Sequence, residues 1–192
     1  MPRKIILASQ SKQRLKLLKA AISLPIEVFP ADLDEQAVPF IDQYDKAEKI
    51  ALAKAEKIAA NYKEAIIIAA DTFCYLQGRI LEKPKSLDEA REMLAFQSDK
   101  KIEVLTGYAF LNTKSNTQVS GCEKVMVKMR RLSRDEIERY VTSEPVLTWS
   151  AAFSPAYDSG MALIESINGN LTAFSHGLPI NLLMEFLSVN QK

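Results

Sequence analysis

The sequence predicts an α/β or α+β fold with a mixed sheet. Three observations support this fold class. Strand–helix units occupy the first part of the chain, hairpin patterns occupy the middle, and amphipathic helical patterns lie between the strands and at the end. Parallel strands are expected where a helix separates two strands, and antiparallel strands where a tight turn does. We therefore expect a sheet of mixed direction, flanked by helices.

The bulk composition is that of an ordinary globular protein and excludes several classes of function. The chain has 192 residues, 47% hydrophobic and 26% charged, which suits one domain spanning residues 1–192. A net charge of +1 provides no field for binding nucleic acid or anionic membranes nonspecifically. Cys74 and Cys122 fit no metal spacing, so we expect reduced thiols in a cytoplasmic protein. No apolar run approaches membrane-spanning length.

The first strand–helix unit has the features of an anion site. Residues 5–8 form a short apolar run, and Ser11 is a good N-cap for the helix that follows the Ser9–Ser11 loop. Such a loop brings free N–H groups and hydroxyls together. Lys12 and Arg14 lie in the first turn, where cations oppose the helix dipole unless an anion is bound. The alternative is an ordinary N-cap with two surface cations.

Acidic residues and one lysine follow in the next unit. Asp32, Asp34 and Glu35 form a loop cluster that is either a solvated turn or a source of oxygen ligands for Mg²⁺. A helix is expected over residues 45–62, and Lys54 falls within its apolar arc. A lysine on that face needs a partner or a cleft, unless its side chain snorkels along the helix edge.

The central stretch contains the candidate catalytic residue. Residues 65–70 are apolar at every position, which is typical of a strand buried on both faces. We expect this strand to end at Asp71, and ligands gather at the carboxyl ends of strands in such sheets. A hairpin turning at Gln77-Gly78 then leads to Lys83, which Pro84 restricts to extended conformations. Either Asp71 and Lys83 face one ligand, or they are an N-cap and a solvated lysine.

The remaining elements follow from the same kinds of pattern. They are strands over 26–29, 103–111 and 118–129, helices beginning at the capping boxes Ser86/Glu89 (with Leu87 on its inner face) and Ser133/Glu136, a hairpin across Asn168-Gly169, and a final helix opened by Pro179.

The ordered motifs of this chain resemble those of the Maf nucleotide pyrophosphatases. Leu7-Ala8-Ser9-Gln10-Ser11 followed by Arg14-Leu15 resembles the family's opening Leu-Ala-Ser-x-Ser-Pro-Arg-Arg signature. Other segments fall in the family's order: Asp34-Glu35, Lys54-Ala55, Ala70-Asp71-Thr72, Lys83-Pro84, Thr106-Gly107 and Gly177-Leu178-Pro179. Each motif is weak alone, but the ordered set spans nearly the whole chain and is specific.

The resemblance implies both a fold and an activity. The fold would be an elongated, partly antiparallel sheet in two lobes with a cleft, in a protein that is often a homodimer. The activity would be hydrolysis of a nucleoside triphosphate to the monophosphate and pyrophosphate, with Mg²⁺ or Mn²⁺. Members are thought to remove non-canonical or modified nucleotides, and they were first linked to arrest of septum formation in cell division.

The resemblance also implies a role for each matching residue. The substrate-binding set would be Ser9, Ser11, Lys12, Arg14 and Thr72. The catalytic set would be Asp71, Glu35, Lys54 and Lys83. Asp71 would be the general base or the main metal-linked carboxylate, and Glu35 would bind metal or position water. The two lysines would hold the triphosphate and neutralise charge that develops in the transition state.

The sequence also departs from the family pattern. Lys12-Gln13 replaces Pro-Arg, Ile102 replaces a histidine, and residues 149–153 replace Lys-Ala-Gly-x-Tyr with Ala151 at the glycine. Phe153 in place of tyrosine is closer to the branch acting on 7-methyl-GTP than to the dTTP/UTP branch. Trp149 and Phe153 either stack on a base or pack in the core. The nucleobase is therefore left open.

Two alternatives remain beside the pyrophosphatase. The departures are compatible with a nucleotide-binding protein that regulates cell division and has lost most catalysis. A serine hydrolase using His176 is a third hypothesis, but the sequence contains no Gly-x-Ser-x-Gly elbow. A structural loop histidine explains His176 better.

Overall fold

One mixed sheet of seven strands organises the fold, and the computed structural model describes residues 4–190. The strands are β1 (Lys4–Leu7), β2 (Ile26–Val28), β3 (Ala65–Leu76), β4 (Arg79–Leu81), β5 (Lys101–Asn112), β6 (Thr117–Met129) and β7 (Ile164–Asn168). The helices are α1 (Lys12–Ala21), α2 (Gln43–Ala59), α3 (Leu87–Gln97), α4 (Arg134–Ser143), α5 (Asp158–Met161), α6 (Leu171–His176) and α7 (Ile180–Asn190). No helix within the described residues is long and apolar enough to cross a bilayer.

The sheet is mixed, as the sequence predicts. Its order is β2-β1-β3-β5-β6-β7, with β4 added beside β3. Strands β2, β1 and β3 run parallel to one another, and all other pairs are antiparallel. Helices α1 and α2 lie in the connections of the two parallel pairs, whereas tight turns join the antiparallel hairpins β3–β4 and β5–β6. The predicted fold class is therefore confirmed.

The two edges of β3 are covered differently, and this difference opens a cleft. One edge pairs with β5 without interruption from Ile66 to Tyr75. The other edge pairs with β1 over residues 65–68 and with β4 over residues 74–76. Residues 69–73 of β3 therefore have no strand on that side among the described residues, and the gap lies between β1 and β4.

The apolar core is divided by the same gap. On the β1 side, buried clusters lie on both faces of the sheet, around residues such as Ile5 and Ile67. On the β4 side, a larger cluster joins α3, α4, the first residues of β5 and the last residues of β6, around residues such as Leu94 and Val127. Each side buries its own apolar surface, so the two-lobed arrangement with a cleft is confirmed.

The expectation that the central strand ends at Asp71 is wrong. β3 continues through Asp71 to Leu76, and Asp71 pairs with Gly107 of β5. The apolar run ends there because β3 leaves the cover of β1, whose last residue, Leu7, lies opposite Ile68. Asp71 thus lies just beyond the carboxyl end of β1, which is still the position expected for a ligand site.

The predicted hairpin across Asn168-Gly169 is also wrong. β7 ends at Asn168 and pairs with β6, while residues 171–176 form helix α6. The side chain of Asn170 accepts hydrogen bonds from the backbone N–H groups of Thr172 and Ala173. This N-cap satisfies the first donors of a helix, which outweighs the turn preference of the preceding Asn-Gly pair.

Of the two predicted capping boxes, one is complete and one is half formed. At α4, Ser133 and Glu136 exchange both hydrogen bonds. At α3, Ser86 caps the helix, but the Glu89 carboxylate accepts from the N–H of Lys85 instead of that of Ser86. Leu87, expected on the inner face of α3, is 41% exposed.

Both cysteines are free thiols that pack in the protein, as the sequence indicates. Cys74 is buried and Cys122 is half-buried. Burial raises the pKa of each thiol to about 12. Both groups therefore stay protonated near neutral pH and are poor nucleophiles.

Replacing Glu136 with glutamine is expected to destabilise the fold in a pH-dependent way. Hydrogen bonds from the N–H of Ser133, and then from Arg130, lower the pKa of Glu136 from its ordinary 4.5 to about 2. A depressed pKa contributes stability above 4.5 that is lost as the pH falls from 4.5 towards 2. The Tm difference between wild type and variant should therefore narrow between neutral pH and about pH 3. An equal Tm difference at both pH values would contradict this account of the cap.

Candidate active site

A cavity of about 1220 Å³ occupies the gap beside β3. Its walls come from the β1–α1 loop, the segment before α2, α2 itself, the middle of β3, the residues after β4, the loop before α5 and the carboxyl end of α6. It is lined by every residue in the predicted substrate-binding and catalytic sets: Ser9, Ser11, Lys12, Arg14, Glu35, Lys54, Asp71, Thr72 and Lys83. The fold therefore brings together residues that are dispersed over the first 83 positions of the sequence.

Lys54 joins the two candidate carboxylates. Its Nζ lies 2.8 Å from Oδ1 of Asp71 and 2.6 Å from Oε1 of Glu35. The side chains of Lys54 and Asp71 are only 12% and 16% exposed. The lysine on the apolar arc of α2 thus has two partners in the cleft, which excludes the snorkelling alternative. Two acids and one ammonium leave a local negative charge.

The carboxylates of Asp71 and Glu35 suit a hard divalent cation, which prefers oxygen ligands. Each uses one oxygen on Lys54, and within residues 4–190 no hydrogen bond to Oδ2 of Asp71 or Oε2 of Glu35 is found. Carboxylate oxygens suit Mg²⁺ and Mn²⁺. The described residues contain no cluster of three or more His, Cys, Asp or Glu side chains able to hold a metal alone. A cation here would take its further oxygens from water and from a ligand, as Mg²⁺ commonly does from phosphates.

Arg14 is a buried cation held by neutral acceptors. Its Nε donates to the carbonyl of Gly177 at 2.9 Å, Nη1 to Oγ of Ser9 at 2.9 Å, and Nη2 to Oγ1 of Thr72 at 3.1 Å. Loss of hydration on burial lowers the pKa of Arg14, and the charges of Asp71 and Glu35 oppose this shift. No carboxylate within residues 4–190 pairs directly with the guanidinium, so this wall of the cavity is positive and suited to an anion.

The Ser9 hydroxyl is arranged to donate a hydrogen bond. Its Oγ accepts from the N–H of Ser11 at 3.2 Å and from Arg14 at 2.9 Å. These two bonds occupy both lone pairs and leave the hydroxyl proton for a further acceptor. Ser11 is the N-cap of α1, since its Oγ accepts a hydrogen bond from the backbone N–H of Arg14.

A chain of hydroxyl groups connects Arg14 to the sheet. Oγ1 of Thr106 donates to the carbonyl of Ala173 at 3.0 Å, and lies 3.2 Å from Oγ1 of Thr72. Since each hydroxyl has one proton, Thr72 donates to Thr106 and accepts from Arg14. The sequence predicts no role for Thr106 or Gly177, although both lie in motif segments. Gly177 holds the guanidinium directly through its carbonyl, and Thr106 holds it through Thr72.

The Maf-like protein family matches residues 4–189. The chain belongs to the Maf-like protein family. It is 34% identical to a 7-methyl-GTP pyrophosphatase of Pseudomonas syringae pv. tomato, over 95% of this chain and 94% of the relative. It is 36% identical to a dTTP/UTP pyrophosphatase of Pyrococcus furiosus, over 99% and 97%.

The Maf-like fold is also found in a more distant solved structure. A HAM1 protein from Coxiella burnetii superposes with a TM-score of 0.55, covering 97% of this chain and 99% of the other. The sequence identity is 19%, so this likeness concerns the fold alone.

One departure from the Maf pattern, alanine in place of glycine at position 151, keeps the backbone conformation that glycine favours. Ala151, at the family's glycine position, has φ 59°, in the left-handed region that favours glycine. Its N–H donates to the carbonyl of Glu82 at 3.0 Å, and its carbonyl accepts from Nε2 of Gln97 at 2.8 Å. These bonds hold the strained alanine, at a cost of about 1–2 kcal/mol. They also anchor the chain immediately before Lys83, which is exposed at the cavity.

The alternatives for Phe153 and His176 are resolved by their surroundings. Phe153 is buried in the core of the β4 lobe, although it also borders the cavity. Nδ1 of His176 lies 2.8 Å from Oγ of Ser175, which donates its proton to the carbonyl of Leu171. Because that proton is already engaged, His176 is not placed to activate Ser175. The serine hydrolase hypothesis therefore has no support in this Maf-like protein.

Proposed function

We propose that this protein hydrolyses a nucleoside triphosphate to the monophosphate and pyrophosphate, using Mg²⁺ or Mn²⁺, and acts on non-canonical or modified nucleotides. The observation that carries the proposal is one cleft, also lined by the cation Arg14, in which Lys54 contacts both Asp71 and Glu35. The names of the relatives, pyrophosphatases for 7-methyl-GTP or for dTTP and UTP, support the same reaction.

Binding of the triphosphate follows from the charges of the cleft. Arg14, Lys12 and Lys83 supply positive charge along the cavity wall, and Ser9 supplies a hydroxyl donor. Arg14 is already held in one orientation by three acceptors, so little reorganisation is needed when an anion binds. Lys12 takes the place of a motif proline, and Gln13 takes the place of a motif arginine. The positive charge of this segment is therefore retained, but the bidentate hydrogen bonding of an arginine guanidinium is lost.

Asp71 is the candidate base. Water is a poor nucleophile, so a carboxylate must orient or deprotonate it for attack on the α-phosphorus. Lys54 holds Oδ1 of Asp71 and leaves Oδ2 for that water. Asp71 and Glu35 would hold a divalent cation, and such a cation would supply further neutralisation of negative charge. Lys54 would stabilise charge that builds up on the phosphate oxygens.

Pyrophosphate release by the purified protein tests the proposal. The assay uses a nucleotide panel, 7-methyl-GTP, GTP, dTTP, UTP and CTP, with Mg²⁺, with Mn²⁺ and with EDTA. We expect monophosphate and pyrophosphate as products, and release that depends on the added cation. Nucleotide binding without release would instead favour the catalytically weakened regulator of cell division. Undiminished turnover in EDTA would contradict the metal role of Glu35 and Asp71.

The proposal places the protein in the cytoplasm, where nucleoside triphosphates occur and thiols stay reduced. The net charge of +1 supports the expectation that neither nucleic acid nor a membrane surface is a partner. The homodimer implied by the family resemblance stays a prediction.

Replacing Gly177 with alanine is expected to raise the KM for the triphosphate about 10-fold. Gly177 has φ 65°, and an added Cβ would lie 2.7 Å from Oγ1 of Thr72 and 3.1 Å from Nη2 of Arg14. The methyl group would displace the Thr72 hydroxyl and with it the guanidinium that donates to it, whereas the bond between Lys54 and Asp71 is not touched directly, so kcat should change less than KM. Steady-state kinetics measures both.

A matched control separates backbone strain from displacement of Arg14. Gly78 also has a positive φ, +83°, but an added Cβ there meets nothing within 4 Å. Gly78→Ala should therefore lose stability without a change in KM. A Gly177→Ala variant with wild-type KM would show that the position of Arg14 does not matter for binding.

A further inference from the structure

Two aromatic rings form one surface inside the cavity. The ring centroids of Trp149 and Tyr157 lie 4.9 Å apart, with their planes at 36°. Both residues line the cavity that contains Asp71 and Lys54. Trp149 is half-buried against the core of the β4 lobe, and Tyr157 is 42% exposed. Tyr157 is therefore the outer ring, and Trp149 supports it from behind.

The position of this aromatic surface is fixed by the backbone around it. Trp149 precedes a short 3₁₀ turn in which Ala151 and Ala152 both have φ 59°. Hydrogen bonds from Ala151 to Glu82 and from Gln97 to Ala151 attach this turn to the end of β4 and to α3. Trp149 is thus anchored close to the segment that carries Lys83, and Tyr157 packs against Trp149, so little ordering is needed before a ligand stacks on the outer ring.

We propose that Tyr157, supported by Trp149, is the specificity-determining residue that binds the nucleobase, and that this surface takes a purine in preference to a pyrimidine. The inference rests on the proposed nucleoside triphosphate hydrolysis. Rings with centroids 4.9 Å apart leave no room for a base between them, so the base stacks on the open face of Tyr157.

Size and charge both favour a purine on this surface. A purine presents a larger π surface to the open face of Tyr157 than a pyrimidine does, and stacking grows with that surface. A purine with a positive charge, such as one alkylated at N7, is attracted further by the negative ring faces. Glu82 lines the same cavity and offers acceptor oxygens. Guanine presents several N–H donors to such an acceptor, whereas uracil and thymine present one.

Fluorescence tests this inference directly, because Trp149 is the single tryptophan of the chain. The wild-type protein is titrated with 7-methyl-GTP, GTP, UTP and inorganic tripolyphosphate, with Ca²⁺ in place of Mg²⁺ and with a check that the nucleotides stay intact. We expect strong quenching by 7-methyl-GTP, weaker quenching by GTP, little by UTP and none by tripolyphosphate. Affinities from calorimetry should follow the same order for the three nucleotides.

Variants of the outer ring complete the test. Tyr157→Leu should weaken 7-methyl-GTP binding about 10-fold and leave tripolyphosphate binding unchanged. Tyr62→Leu is the matched control, since Tyr62 lies outside this cavity and packs near Phe29. It should change neither affinity.

The outcomes distinguish this inference from the proposed function. Equal quenching and affinity for UTP and GTP, quenching by tripolyphosphate, or unchanged nucleotide affinity in Tyr157→Leu would overturn the base surface. Any of these results together with pyrophosphate release by the wild type would leave the proposed function standing. Purine-selective quenching that Tyr157→Leu abolishes would support the base surface even in a protein that releases no pyrophosphate.

Discussion

The Asp71→Asn variant is expected to release pyrophosphate about 10²–10⁴-fold more slowly than the wild type, which is the range that general-base catalysis contributes. Asparagine has nearly the same shape as aspartate but accepts no proton from water. It also replaces a charged partner of Lys54, whose Nζ lies 2.8 Å from Oδ1 of Asp71. The loss should appear mainly in kcat, because Arg14, Lys12 and Lys83, the cations proposed to hold the triphosphate, are retained. Initial rates of pyrophosphate release at saturating nucleotide measure it.

The control for this variant is an aspartate outside the cleft. Asp88 is 91% exposed and pairs with Arg91 three residues along α3. Asp88→Asn should leave kcat unchanged, since an exposed pair of this kind contributes little to the fold. The Asp71→Asn protein should remain folded, because Glu35 still pairs with Lys54 at 2.6 Å. Turnover of Asp71→Asn at the wild-type rate would reject Asp71 as the base.

The Gly107→Ala variant is expected to lose about 3 kcal/mol or more of its free energy of unfolding, at or beyond the upper end of ordinary overpacking. An added Cβ would lie 1.8 Å from the carbonyl oxygen of Ala47 and 2.1 Å from its carbon. Both atoms belong to the backbone of α2, which moves only as a whole. Relief of the clash would push α2 away from the sheet and separate Lys54 from Asp71. Urea unfolding at 25 °C measures the loss.

A neighbouring glycine provides the comparison. Gly121 lies on β6, opposite Tyr108, and its added Cβ would lie 2.6 Å from the Tyr108 hydroxyl oxygen. That atom is the end of a flexible side chain, which can shift at small cost, so Gly121→Ala should lose about 1 kcal/mol or less. If Gly107→Ala were as stable as Gly121→Ala, the close approach of α2 to β5 would not be a requirement of the fold.

The Gly107 contact also explains a motif whose role the sequence left open. Gly107 pairs with Asp71 across β3 and β5, so the residue that admits α2 lies directly beside the candidate base. Without a side chain at this point, α2 packs close enough for Lys54 to reach Asp71. The glycine therefore positions the ion pair through the backbone and needs no contact with a ligand.

Local physical rules account for the parts of the site that were predictable. The sequence predicts Ser11 as an N-cap because its hydroxyl is placed for the N–H groups of the first helical turn, and this hydroxyl accepts from the N–H of Arg14. It also indicates a partner or a cleft for Lys54, because a charge on an apolar helical arc needs one. These features depend on spacing along one element, so a single sequence carries them.

Other features were not predictable because they depend on which strand covers which edge. The strand through Asp71 does not end there, since β5 continues to pair with it after β1 has ended. The hydroxyl chain from Thr72 through Thr106 to Ala173 joins three elements whose order in space has no local signal. The pairing of Trp149 with Tyr157 likewise depends on the path of a loop between short 3₁₀ turns and α5.

By itself, the sequence determined the types and approximate positions of most strands and helices, the caps of α1 and α4, and the identity of the charged groups available to a polyphosphate. Only the tertiary structure decided that one edge of β3 stays open between β1 and β4, and that Lys54, Glu35, Asp71 and Arg14 meet at that opening. The physical reason is that caps and amphipathic faces arise from interactions between near neighbours in the chain. A cleft arises from the pairing of distant strands, which is set by burial over the whole molecule.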